Sequence, residues 1–171
     1  HRRLLERIER RREALRARAD PDELLVPGSI NFLQALKEQQ VQLHLASGTD
    51  EVFVKEGAGL LGLDPFFGDQ IHGALDDHKA FSKAMVIERI LTENRIAGAQ
   101  LIGFGDGYVE IQNIREAGGL AIAVASDEAG RSGKPDEWKR NRLIGAGAHI
   151  VIPDFQESDR LVEHLFSLQR D

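Results

Sequence analysis

Two acids four residues apart stand in the run Gly105-Asp106-Gly107-Tyr108-Val109-Glu110. If Asp106 marks the tip of a strand and the next element is a helix, that spacing returns Glu110 to the same face one turn on. Hard carboxylate oxygens beside a turn that lets the backbone come close suit Mg2+, which keeps several waters and takes one or two carboxylates. The same pair would also serve a helix without any chemistry, Asp106 as its cap and Glu110 as an acid favouring the N-terminal dipole. Spacing alone leaves both readings open.

Ser47-Gly48-Thr49 follows the run Val41-Gln-Leu-His-Leu-Ala46. The Ser47 hydroxyl and the N–H groups of Gly48 and Thr49 could hold a phosphate oxygen there, although Ser and Thr are also ordinary helix caps. Lys83, opening a helix after a loop-rich stretch, adds a positive charge suited to a phosphoryl group. A lysine taken at random is more often a surface residue, and Lys79 stands close enough to compete for the role.

These residues need a scaffold, and the hydrophobic pattern supplies one. Val26-Pro27-Gly28-Ser29 leads into a helical periodicity at Ile30, Leu33 and Leu36. Val41–Ala46 reads as a buried strand ending in a tight loop at Ser47–Asp50, with a helix after it. The stretch 63–78 is rich in Gly and Asp and gives only a loop with a short strand near 70–75. From Ser82 a helix carries Val86, Ile87, Ile90 and Leu91 on one side, followed by a strand at 100–104 and a helix to about Ala117. Leu120–Ala125 and His149–Ile152 are short, continuously apolar strands, with helices around Trp138–Ile144 and from about Glu157 onward. Strands that are apolar throughout and alternate with helices predict an α/β fold, a three-layer Rossmann-like parallel sheet with helices on both faces. Ligands bind at the carboxyl ends of such strands, which here hold Ser47-Gly48-Thr49, Asp106 with Glu110, and Ser126-Asp127-Glu128.

Taken in chain order, a Ser after one strand, a Lys opening a later helix and a Gly-Asp-x-x-x-acid loop beyond it resemble the second, third and fourth motifs of the haloacid dehalogenase-like (HAD) phosphohydrolases. The run from Pro27-Gly28 to Ser47 resembles the stretch that re-enters that family's core from its inserted cap, and Ala146–Asp154 resembles its terminal strand. The resemblance covers roughly residues 24–165. It implies a phosphatase in which Ser47, with Gly48 and Thr49, binds phosphate. Lys83 would neutralise phosphate and nucleophile, and Asp106, with Glu110 in support, would hold Mg2+. The family more often has Asp where Glu110 stands. The implied substrate is a small phosphorylated metabolite, cleaved through an aspartyl-phosphate intermediate.

One motif is missing. The family's first motif is an apolar strand ending in Asp-x-Asp, the first Asp attacking phosphorus and the second acting as general acid and base. Asp20-Pro21-Asp22 follows an arginine-rich helix instead of such a strand and does not qualify. In the family that strand lies in the middle of the sheet, so its absence would leave unpaired backbone groups there. The expectation is therefore a piece of a longer polypeptide, with the nucleophile strand and most of a cap as its remaining partners. On this reading 1–24 is the returning end of an inserted helical cap and 25–171 the HAD-like core. The competing reading is a catalytically silent phosphate-binding or regulatory module; carbon–halogen hydrolysis, which needs no Mg2+, is a third.

Composition narrows the classes further. The 171 residues are 42% hydrophobic and 29% charged, in the ordinary globular range. With no cysteine there is no disulfide, thiolate nucleophile or cysteine-ligated zinc. No apolar run approaches a membrane span and the start lacks a signal-peptide core, so a cytoplasmic protein without membrane contacts is expected. The net charge of −6 conceals a basic start: the first twenty residues hold eight Arg against three Glu and one Asp. Interleaved with Leu4, Leu5, Ile8 and Leu15, those arginines read as an amphipathic helix over 1–19 with no nucleic-acid partner. Gly103-Phe-Gly105-Asp-Gly107 lacks the third glycine of a dinucleotide loop, which would fall at Tyr108, and Gly130-Arg-Ser-Gly133-Lys134 lacks the spacing of a phosphate loop. The six histidines include no pair at metal-ligand spacing on an open helical face, which argues against a zinc hydrolase.

Overall fold

The computed structural model describes residues 20–74 and 82–167, with positions 6, 9, 10, 13, 14 and 17 ahead of them. Most of the helix read over 1–19, and Lys79, lie outside the described residues. The chain divides into two compact units, one of residues 1–80 and 156–171 and one of residues 81–155. Its architecture is α/β with parallel strands, as the alternating pattern predicts.

In the first unit, α1 (Pro21–Leu24) starts at Asp20, whose side chain accepts from the Asp22 N–H. Gly28, in the left-handed region, turns the chain into α2 (Ser29–Glu38), which buries Phe32 and Leu36. β1 (Leu45–Asp50) leads directly into α3 (Glu51–Leu60); α4 (Asp64–Phe67) and β2 (Ile71–Ala74) follow. β1 and β2 pair in parallel and form a two-stranded sheet. Ala58, Leu61, Leu63 and Ile71 form the core of this part, with Ile30, Leu33, Leu45, Phe66 and Phe67 packed on it. α8 (Ser158–Ser167) packs on α2.

In the second unit, Ser82 caps α5 (Lys83–Asn94) by accepting from the Met85 N–H at 3.2 Å. A turn of 3-10 helix at Gly98–Gln100 precedes β3 (Ile102–Gly105), and α6 (Tyr108–Glu116), β4 (Leu120–Val124), α7 (Glu137–Gly145) and β5 (Ile150–Ile152) complete it. β3, β4 and β5 form a parallel sheet in that order, with Ile102 opposite Leu120 and Ile122 opposite Ile150. β4 is the middle strand, which explains why Leu120–Val124 is apolar without alternation. Ala121 and Ala123 point to one face, where Ile111 and Ile114 of α6, Leu143 of α7 and Ala146 just past its end close the core, and Ile122 and Val124, on the other face, are buried too. The strands thus form two parallel sheets, one in each unit, and β1 and β3 are each an edge of theirs. No helix among the described residues is long and apolar enough to cross a membrane.

Candidate active site

β3 delivers the chain to Gly105, and α6 begins at Tyr108, so Asp106 and Gly107 form the turn between a strand's carboxyl end and a helix N-terminus. Asp106 is exposed; Glu110, an acid in the first turn of α6, is partly buried. The two glycines make room for it. A Cβ on Gly105 would lie 2.6 Å from Glu110 Oε2, and one on Gly107 would lie 3.2 Å from Glu110 Cδ. The Glu110 side chain therefore folds back against the turn, where it meets the Lys83 ammonium in an ion pair. Side-chain exposures of 27% for Lys83 and 23% for Glu110 put this pair below the surface class.

Burial lowers the Lys83 pKa from its ordinary value, while the negative charge of Asp106 pulls it back up. Of the residues singled out by spacing, the structure brings Lys83, Asp106 and Glu110 together within the second unit. A partly desolvated ammonium between two carboxylates can compensate anionic charge, and Asp106, facing solvent, keeps its oxygens open to a hard cation. Glu110 is engaged by Lys83. Among the described residues no group of three or more His, Cys, Asp and Glu is placed to share a metal. Asp106 is thus the exposed acid at this turn, and a hard cation that takes one or two carboxylates and fills the rest of its sphere with water is the kind such an acid can serve.

Ser47, Gly48 and Thr49 lie in the first unit, and there the strand boundary differs from the reading of the sequence. The expected strand Val41–Ala46 begins only at Leu45 and continues through Ser47, Gly48 and Thr49 to Asp50. The alternation at 41–44 has no ladder partner in β2, whose pairing starts with Leu45 opposite Ile71. Ser47 Oγ accepts from the Thr49 N–H at 3.2 Å, which occupies one of the donors the sequence had offered to a phosphate oxygen. Gly48 is exposed. Glu51, not singled out by any motif, stands next to this segment: its carboxylate accepts from Lys55 Nζ at 2.6 Å and, at 3.5 Å, from the Gly73 N–H. The bond to Lys55 leads the causes that hold its pKa below the usual carboxylate value. The detectable signal was the Glu51/Lys55 spacing of four along a helix.

The other strand-tip acids are committed to their own loop. Asp127 accepts from the Gly130 N–H at 2.8 Å, which lowers its pKa, and Glu128 pairs with Lys139. Ser126 is buried and bridges to Pro135. Asp20-Pro21-Asp22 caps α1 and ends no strand.

Known proteins resemble this chain in sequence and in fold. The sequence profile of the haloacid dehalogenase-like hydrolases matches residues 3–118. A phosphoserine phosphatase of Archaeoglobus fulgidus is 26% identical over 140 residues, covering 75% of this chain and 40% of the relative. Among solved structures, a conserved haloacid dehalogenase-like protein of unknown function from Agrobacterium tumefaciens superposes with a TM-score of 0.62 at 20% identity, over 77% of this chain and 58% of that one. A HAD family hydrolase from Deinococcus radiodurans, solved with bound phosphate and sodium, gives 0.61 at 16% identity, over 76% and 55%. The chain thus spans less than two thirds of each of these relatives, and the structural likenesses speak for the fold.

Proposed function

The chain belongs to the haloacid dehalogenase-like hydrolase family, and from that premise we propose that it is the greater part of a Mg2+-dependent phosphatase core acting on a small phosphorylated metabolite. The observation that carries the proposal is the Lys83–Glu110 pair packed against the Gly105-Asp106-Gly107 turn, with Asp106 electrostatically coupled to the same ammonium. A helix cap has no use for a partly buried lysine; a dianionic phosphoryl group does.

In this proposal the Ser47 hydroxyl and the Gly48 N–H bind phosphate oxygens, and Thr49 shapes the segment through the bond its N–H donates to Ser47 Oγ. The Lys83 ammonium neutralises phosphate and attacking carboxylate. Its pairing with Glu110 holds the amine in place, and the charge of Asp106 favours its protonated form against the cost of burial. Mg2+, for which Asp106 is the ligand with Glu110 in support, would compensate charge on the phosphoryl oxygens. The attacking group is an Asp of an Asp-x-Asp motif that passes through an aspartyl-phosphate; Asp20 and Asp22 do not provide it, since Asp20 is occupied as a cap. Residues 1–24 belong to the end of a cap and 25–171 to the core, so the remaining partners are the nucleophile strand and the rest of the cap.

The test is hydrolysis of a panel of small phosphate monoesters by the full polypeptide with and without Mg2+. Turnover that needs Mg2+ and falls steeply at limiting Mg2+ in Asp106→Asn supports the proposal. Near-normal turnover of Asp106→Asn at limiting Mg2+ overturns it.

A further inference from the structure

Resting on the reading of Ser47–Thr49 as the phosphate-binding segment, we propose that Gly73 is a positioning residue for it. β2 carries no side chain at that point so that a bulge of β1 can stand directly on its backbone.

The register shows the bulge. Leu45 faces Ile71 and Ala46 faces His72, and the next matched pair is Asp50 with Ala74. Between these pairs β1 has three residues, Ser47, Gly48 and Thr49, where β2 has Gly73 alone. Surplus residues in a strand leave the ladder and re-aim their side chains and N–H groups, and such bulges recur beside functional sites. The three residues of this one are the three of the proposed phosphate-binding segment. The bulge closes on itself through the bond from the Thr49 N–H to Ser47 Oγ.

Gly73 supplies the space beneath it. A Cβ there would stand 2.8 Å from the Thr49 carbonyl oxygen, 2.6 Å from Glu51 N and 2.3 Å from Glu51 Cα. All three are backbone atoms, which cannot swing aside as the end of a side chain can. The reason for glycine is this close approach and not an unusual backbone angle, since Gly73 is absent from the glycines of positive φ. β2 has nowhere to retreat, because its four residues are all buried. The Gly73 N–H also donates to Glu51 Oε2, tying the end of the bulge to the same residue. A side chain at 73 therefore pushes the Ser47–Thr49 segment outward, moving the hydroxyl and the Gly48 N–H off the positions they would share with a phosphate.

The experiment measures binding of inorganic phosphate to the full polypeptide by calorimetry or phosphorus NMR, for wild type, Ser47→Ala, Gly73→Ala and Gly57→Ala. Gly57 lies in α3 with nothing within 4 Å of a Cβ placed there, so it controls for the general effect of glycine replacement in the same unit. Gly73→Ala is expected to bind phosphate about tenfold more weakly or worse, the loss of one well-placed hydrogen bond, with Gly57→Ala unchanged. Wild-type affinity in Gly73→Ala, with affinity lost in Ser47→Ala, overturns the role of Gly73 and leaves the phosphate segment standing. No binding by wild type, or full binding by Ser47→Ala, overturns the underlying reading and this inference with it. If Gly73→Ala does not fold, hydrogen exchange of the wild-type Thr49 amide decides. Slowed exchange supports a set bulge, and exchange at the rate of an unstructured peptide overturns it.

Discussion

Replacing Gly105 by alanine should destabilise the second unit only while Glu110 is present. The added methyl would lie 2.6 Å from Glu110 Oε2 and 3.2 Å from Glu110 Cβ, so the carboxylate must leave its place against the turn and with it Lys83. The pair is about a quarter exposed on each side, which places its worth above the surface class, at about 1–2 kcal/mol. Against that, alanine stiffens the unfolded chain and returns about 0.4–1 kcal/mol, because Gly105 does not sit at positive φ. The expected net loss in the wild-type background is on the order of 0.5–1 kcal/mol. In Glu110→Ala the obstructing oxygen is gone, and the same substitution should be neutral or stabilising by about 0.4–1 kcal/mol. The sign change corresponds to a coupling of about 1–2 kcal/mol in a double-mutant cycle. Urea unfolding of the four proteins, followed by the fluorescence of Trp138, the one tryptophan and a residue of α7 in this unit, reads it directly. Equal effects of Gly105→Ala in the two backgrounds would show that Glu110 does not occupy the space over the turn, and the geometry argued for the site would be wrong.

Four further outcomes are expected. In the full polypeptide, Lys83→Ala should lower turnover on the order of 100-fold, as for loss of one preorganised electrostatic donor, while Lys79→Ala should cost little; the reverse ranking in a phosphatase assay would mean the third motif was misplaced. Asp106→Asn should raise the Mg2+ concentration needed for half-maximal turnover, checked by a Mg2+ titration. The lowered Lys83 pKa means that the unfolded chain holds this proton to higher pH than the folded one, so the Lys83 contribution to stability rises as pH approaches the ordinary lysine value of 10.5. Urea midpoints followed over that range should climb less steeply in Lys83→Met. Glu51, with its pKa lowered, contributes stability that is present above its ordinary value of 4.5 and lost as pH falls through the lowered one; Lys55→Met should shrink that acid-dependent loss.

Much of the second unit was legible because its signals are local. Continuous apolar runs gave β4 and β5 within a residue or so, and for β4 the reason is that a strand buried on both faces needs no alternation. Ser82 marked the start of α5, and its cap bond is present. The first unit was read less well. Val41–His44 looked like the body of a strand, but β2 pairs only from Leu45, and the extra length of β1 goes into the bulge at Ser47–Thr49. A bulge is a relation between two strands, and only one of them showed clearly in the sequence: β2 is four residues long and sits in a stretch dominated by Gly and Asp. Its single internal glycine, Gly73, was the available clue, because an isolated glycine in a strand marks a bulge or a close backbone approach.

The same distinction decides what could be said of Glu110. Its spacing from Asp106 is a property of one turn of α6, and from it both a shared metal and two independent helix-end roles were open. What separates those readings is Lys83, which stands far earlier in the chain and reaches Glu110 because α5 packs against α6 and Ser82 sets where α5 begins. The carboxylate is thereby engaged with a cation of the protein, and Asp106 is left as the exposed one of the two acids. A pattern of two acids therefore specified that charge would be concentrated at this turn, while packing between two helices determined which acid faces the protein and which faces whatever binds. For that reason Asp106→Asn is the substitution expected to act through the bound ion, whereas Glu110→Gln is expected to act through the lysine. In the latter, loss of the partner should lower the Lys83 pKa further, and a carbon-13 titration of dimethylated lysines would register the shift. A Lys83 resonance whose midpoint is unmoved in Glu110→Gln would sink this division of labour.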